Sequence, residues 1–281
     1  MNDQPLDASR RRIALRIEYD GTEYLGSQLQ GSDPTIQGEL ERALDQFTRT
    51  FTRVYMAGRT DAGVHALGQV AAFATSAPYP SETFVQALNA RLPVDIRVRA
   101  AYQMAIDFDP RRDARSRTYC YAILNRGEPS SLLRRFTHHV TKDLSVRAMD
   151  AAARELEGQL DVASFSGPLD VGRTSIRTVH RCRVVRRGDL VLLLIEATAF
   201  LQGQVRRTVG TLVKVGIGRL SIEDFRRIKD AATAGLAGPS LPAQGLCLMA
   251  VDYQDLPTVA MEGWPPGSLA FPKSDEKESD T

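Results

Sequence analysis

Between Ala57 and Ala66 the chain reads AGRTDAGVHA, which sets a guanidinium, a hydroxyl and a carboxylate (Arg59, Thr60, Asp61) between Gly58 and Gly63. The two glycines permit tight backbone turns. A loop fixed by strands on both sides is a common place to present reactive groups. A carboxylate here can do one of two things. It can accept backbone hydrogen bonds and hold the turn. Or it can act as a covalent nucleophile, because Asp, with a reference pKa of ~3.9, is ionised at neutral pH without a base beside it.

The elements that must position this loop follow from periodicity. Alternation in IALRIEY predicts a half-buried strand over 13–19, and Asp20-Gly21 a turn after it. Ile36, Leu40, Ala43, Leu44 and Phe47 have helical spacing, with Asp33 as expected cap and Pro34 in the first turn. Short strands over 54–56 and 69–75 flank the loop. A helix over 83–92 and a strand over 96–102 complete the first half. The second half repeats the inventory. It has a strand over 118–124, a helix over 146–157 stopped by Gly158, a hairpin of 177–186 and 190–198 around Gly188-Asp189, helices over 205–215 and 222–234, and a closing strand over 247–253.

This pattern predicts an α+β protein of two pseudo-symmetric halves. Each is an antiparallel or mixed sheet with helices on one face, and the sheets meet around a central basic cleft. The expected divisions are a disordered tail over 1–11, a half over 12–105 carrying the loop, a half over 106–255, and a disordered or extended tail over 256–281. The last segment is rich in proline and ends in SDEKESD, a composition with little apolar surface to bury.

Composition narrows the function classes. The three cysteines, Cys120, Cys182 and Cys247, form no CxxC pair, which argues against a zinc ribbon or disulfide framework and fits a reducing compartment. MNDQPLDASRRR has no apolar core for a signal peptide, and Val191–Leu201 is too short to span a bilayer, so a cytoplasmic protein without a membrane segment is expected. Net charge is only +2, but 31 of the 36 basic residues are arginine, whose forks suit phosphate oxygens. The runs Arg111, Arg112, Arg115, Arg117 and Arg177, Arg181, Arg183, Arg186, Arg187 are expected phosphate contacts. Adjacent His138 and His139 diverge on any regular element and make a poor metal pair, so no metal is expected. His65 reads as a brace for the loop.

The ten-residue string AGRTDAGVHA resembles, nearly letter for letter, the signature of the tRNA pseudouridine synthase A family. The resemblance runs from about 12 to 253 through IEYDGTEYLGSQLQ, TIQGELERAL, ALNARLPVDIRV, FDPRRDARSRTYCYAI, ASFSG, FLQGQVRRTVGTLVKVGIG and GLCLMAVDY. It implies uridine isomerisation in the tRNA anticodon arm around positions 38 to 40, by a homodimer and without a cofactor.

It also implies roles. Asp61 is the nucleophile, with attack at the ribose C1′ and at the uracil C6 both fitting. Arg59 displaces or holds the target base. Tyr119 stacks on it, and Leu246 packs against it from another side. Arg206 pairs with Asp61; read from its own sequence context beside Arg207, it could equally contact phosphate or face solvent. At ~4 Å and an effective dielectric of ~20 such a pair is worth about 4 kcal/mol of attraction, enough to offset moderate desolvation. Two departures stand out. Ser27 occupies the usual tryptophan position, and Gln202-Gly203-Gln204-Val205 replaces the usual residues before Arg206; both are expected near the RNA path or the helix start.

Overall fold

The computed structural model describes residues 10–168, 172, 174–257 and 263–266. Strands of both halves form one mixed ten-stranded sheet. In the first half β1 (Arg11–Tyr19) lies between β3 (His65–Thr75) and β4 (Ile96–Met104), antiparallel to both. The short β2 (Tyr55–Met56) pairs with β3. Two helices, α1 (Ile36–Thr48) and α2 (Ser81–Asn89), belong to this half.

The second half begins with β5 (Ser116–Asn125), on whose edge β6 (His138–Val140) lies parallel. After α3 (Val146–Arg154) come β7 (Gly158–Asp161), β8 (Ile176–Arg187) and β9 (Leu190–Ala197). Helices α4 (Gln204–Gly216) and α5 (Ile222–Asp230) precede β10 (Leu246–Asp252). The strand order is β4-β1-β3-β10-β5-β9-β8-β7. The halves meet where β10 runs parallel to β3 over only Cys247↔His65 and Leu248↔Ala66. This junction lies at the first two residues of β3, so the loop between β2 and β3 enters the seam between the two half-sheets.

Local chemistry explains the elements. In α1 the residues Ile36, Leu40, Ala43 and Leu44 are buried, and Phe47 packs edge-on against Phe84 of α2. The cap, however, is Thr35, whose side chain accepts from Gly38 N–H. Pro34 therefore precedes the cap instead of lying in the first turn. Helix α3 stops at Arg154 rather than running to Glu157, and Gly158, at φ +108°, opens β7 instead of ending a helix. The β8–β9 hairpin turns at Gly188, φ +56°.

Part of the C-terminal segment packs on the fold. The Trp264 indole is buried against Cys120, Ala122, Leu192, Leu194, Cys247 and Met249 and donates to Gly245 O at 3.2 Å. Leu256 is buried as well. A proline-rich, charged average conceals one aromatic ring with a large area to bury. Residues 1–9, 258–262 and 267–281 of the two expected tails lie outside the described residues.

Candidate active site

The loop after β2 is held by its backbone, not by chance packing. Gln69, fully buried on β3, donates to Gly58 O at 2.8 Å and accepts from Gly58 N–H at 3.3 Å. Arg117 Nη2 donates to Ala57 O. Thr60 is gripped on both sides of its peptide: its N–H donates to Ser27 Oγ at 2.8 Å and its carbonyl accepts from Ser27 N–H at 3.0 Å. Its hydroxyl meets the Tyr19 hydroxyl at 2.9 Å. The loop over 20–27 can back so closely onto this peptide because Gly26 has no side chain. A Cβ there would sit 2.7 Å from Thr60 O. After Asp61 the chain reverses in a turn closed by Val64 N–H to Asp61 O at 3.1 Å, with Gly63 at φ +76°, a conformation that favours glycine.

His65 closes the far side. Its Nε2 lies 2.9 Å from Arg135 O, which can only accept, so Nε2 carries the hydrogen. In the neutral ring Nδ1 then accepts from Gly21 N–H at 3.2 Å, and Asp20 Oδ1 stands 3.1 Å from the same nitrogen. His65 thus braces the 20–24 turn against the second half.

Asp61 emerges from this frame with about a third of its side chain exposed. Arg206 Nη1 lies 3.0 Å from Asp61 Oδ2, while Arg206 Nε donates to Leu241 O at 2.6 Å. One guanidinium therefore bridges the carboxylate and a backbone carbonyl, which fixes its plane. It projects from α4, whose opposite face buries Val205, Val209, Leu212 and Val215. Gly203 caps that helix at φ +70°, and Gln204, buried, accepts from Leu201 N–H. The residues that depart from the family pattern before Arg206 thus build the helix start.

Tyr119 of β5 is buried and meets Phe200 edge-to-face, with ring centroids 5.1 Å apart. Its hydroxyl hydrogen-bonds no other described residue, and a Cβ on Gly58 would come within 3.8 Å of it. Burial, with Tyr19 and Asp61 nearby, pushes this phenol well above its ordinary pKa against the pull of Arg117. Burial likewise pushes Tyr19 up to about 12. Both stay protonated at neutral pH.

Arg59 is exposed and forms no ion pair or hydrogen bond among the described residues, so it does not shape the loop through a salt bridge. Leu246, buried at the start of β10, pairs with Tyr121. The structure thus brings Asp61, Arg206 and Tyr119 to one seam and leaves the Arg59 guanidinium free to reach a ligand.

Several expected RNA contacts are engaged within the fold. Arg117 is buried, its guanidinium donating to the carbonyls of Ala57, Arg111, Ala114 and Thr198. Arg183 pairs with Glu157, Arg186 donates to Asn125 Oδ1, and Arg112 pairs with Asp109. Ser27 is also not on an open RNA path, being buried against Thr60. The residues that sequence reasoning missed are Gln69, Tyr19 and Ser27 as loop clamps. Gln69 carried a legible signal, since it is a strongly polar side chain inside the apolar run HALGQVAAFAT.

The model of the tRNA pseudouridine synthase family matches residues 16–111 and 152–254. A tRNA pseudouridine synthase A 2 of Clostridium perfringens is 39% identical over 86% of this chain and 100% of its own length. The tRNA pseudouridine synthase A of Roseiflexus castenholzii is 43% identical over 87% of this chain and 92% of its own. The chain belongs to the tRNA pseudouridine synthase family. It is by that membership an isomerase of uridine in tRNA. Among solved structures, an H/ACA RNP bound to a substrate RNA containing 2'-deoxyuridine aligns over 72% of this chain and 44% of that one at 13% identity and TM-score 0.32. No helix among the described residues is long and apolar enough to cross a membrane.

Proposed function

We propose that Asp61 is the nucleophile of a synthase that converts uridine to pseudouridine in the tRNA anticodon arm, at one or more of positions 38 to 40. In the reaction the N1–C1′ bond breaks, the base rotates, C5 bonds to C1′, and the C5 proton is released as N1 gains one. No redox step or group carrier is needed, so the reading includes no cofactor. The observation that carries it is the Arg206–Asp61 contact at 3.0 Å on a carboxylate that remains partly exposed. The guanidinium's attraction offsets part of the desolvation that the carboxylate meets as a base-sized ligand displaces water. Tyr119 offers a ring to stack on the extruded uracil, and Arg59, without an ion pair among the described residues, holds or displaces it. Leu246 packs against the base edge. The family resemblance further supports a homodimer in the cytoplasm.

The test is tritium release from unmodified tRNA labelled at uridine C5, followed by mapping of the modified position. Wild-type protein releases tritium from the anticodon arm. Asp61→Asn binds the same tRNA and releases none. Undiminished release by that variant would remove Asp61 from the chemistry, and release mapped elsewhere would reject the target. Light scattering of the free protein checks the dimer.

A further inference from the structure

At the end of β3 away from His65 lies a groove of about 470 Å³, lined by Arg10, Arg12, Arg53, Phe51 and Tyr55 together with Thr48, Thr50, Thr52, Thr75 and Ser76. Among the described residues no acidic side chain lines it. The register explains its floor: Arg12 pairs with Ala74 and Tyr55 with Ala72, so small alanines lie beside the arginine and the ring.

Two aromatic rings stand open here, Tyr55 at 55% exposure and Phe51 at 65%. Each carries a guanidinium over one face. Arg12 lies 5.5 Å from the Tyr55 centroid and Arg53 lies 5.3 Å from that of Phe51. Arg53 also reaches Glu41, but Arg12 Nε is buried with no hydrogen-bond partner among the described residues. A buried donor left unpaired is costly unless something supplies an acceptor. Ala72 lies seven residues along β3 from His65, roughly 20–25 Å along the strand, so the groove opens at the far end of β3, while Tyr55 itself stands only two residues before the loop begins at Ala57.

We propose that this groove is a second RNA-contact site, which takes a phosphate–base step of the tRNA outside the target nucleotide. It rests on the reading of the protein as a tRNA-modifying enzyme and extends it to a surface that Asp61 does not line. Guanidinium donors take the phosphate oxygens, since the hydroxyls of Thr48, Thr50 and Thr52 already donate to backbone carbonyls. A base stacks on the open faces of Phe51 and Tyr55, the combination by which single strands are held without sequence preference. A free inorganic anion would use the donors and leave the rings idle. An acidic peptide would gain little from two aromatic faces, so the pairing of rings with guanidinium favours nucleic acid.

The test measures Kd for an unmodified tRNA transcript and tritium release at saturating tRNA on the same full-length proteins. Phe51→Ala and Tyr55→Ala are each expected to raise Kd about tenfold with kcat retained, and Tyr55→Trp to keep wild-type affinity. Arg10→Gln is expected to reduce the slope of log Kd against log salt by about 0.7–0.9. Both rings are exposed and Phe51 lies on a loop, so the two Ala variants guard against a folding defect in either. A Kd unchanged within twofold in the Phe51→Ala/Tyr55→Ala double variant overturns the groove, as does equal weakening by Tyr55→Trp and Tyr55→Ala. Wild-type protein that binds tRNA yet releases no tritium would refute the catalytic reading while leaving the groove result to stand on its own.

Discussion

Ser27 and Thr60 form a closed reciprocal pair: the Ser27 hydroxyl accepts from Thr60 N–H, and the Thr60 carbonyl accepts from Ser27 N–H. Thr60 is the residue before Asp61, so the peptide carrying the carboxylate is fixed by a side chain buried to 99%. A serine where relatives of this family usually have tryptophan is therefore part of the loop's own frame.

Ser27→Ala removes one acceptor and leaves a buried N–H without a partner. The expected loss is about 1–3 kcal/mol of stability, read as a lower urea midpoint. Turnover should fall more than tRNA affinity, because the altered peptide orients Asp61 and touches no phosphate. Ser27→Thr, which restores the hydroxyl, should recover part of both. A kcat equal to wild type in Ser27→Ala would show that Asp61 is held without this bond.

Arg206→Lys keeps the charge but cannot donate to both Asp61 Oδ2 and Leu241 O from one rigid plane. The expected result is a fall in kcat of tenfold or more, ~1.4 kcal/mol of barrier per factor of ten, with tRNA binding changed by less than a few-fold. Single-turnover assays at saturating tRNA separate the two. A lysine variant with full kcat would reduce Arg206 to a point charge.

The elements were legible where one period dominated. The spacing of Ile36, Leu40, Ala43 and Leu44 identified α1 because the same stripe is what the core buries. The loop that carries Asp61 was legible as a turn between strands because its residue types are specific. What hid from the sequence were contacts between distant segments. Gln69 reaches eleven residues back to Gly58, a contact the sequence did not reveal, and Arg206 reaches Asp61 across 145, a pair named only through the family resemblance. Arg117 looked like one of a row of surface cations, yet β5 is buried along its whole length and turns that guanidinium into a staple for four carbonyls. The short β6 and β7 carry too few residues to show alternation.

Alkaline pH should destabilise the protein steeply. Burial raises the phenols of Tyr19, to about 12, and of Tyr119, Tyr121 and Tyr253. It also raises the thiols of Cys120, Cys182 and Cys247. Each folded group keeps a proton that the unfolded chain releases above ~8.5 for a thiol and ~10 for a phenol. The folded state then binds more protons, so stability falls as pH rises, by up to about 1.4 kcal/mol per pH unit for each group. Urea midpoints between pH 8 and 11 should drop with increasing slope, and Tyr253→Phe should make the slope above pH 10 shallower. A midpoint flat across that range contradicts the assignment.

Trp264 is the protein's only tryptophan, and it is 2% exposed, between Phe136 and His65 with ring centroids 5.7 and 5.2 Å away. It covers the cluster on β5, β9 and β10 that the main core does not include. Its emission should therefore be blue-shifted in the native protein and move to the red on unfolding. Trp264→Ala should cost about 3–5 kcal/mol if the ring is held as tightly as a core aromatic. Trp264→Phe should cost less, because it loses the bond to Gly245 O and some area but keeps a ring over the cluster. Because His65 also braces the turn at Asp20, loss of the indole should loosen the catalytic loop from behind and lower turnover in Trp264→Ala along with stability. A red native emission, or a Trp264→Ala variant as stable as wild type, would show that this segment does not pack on the sheet in solution.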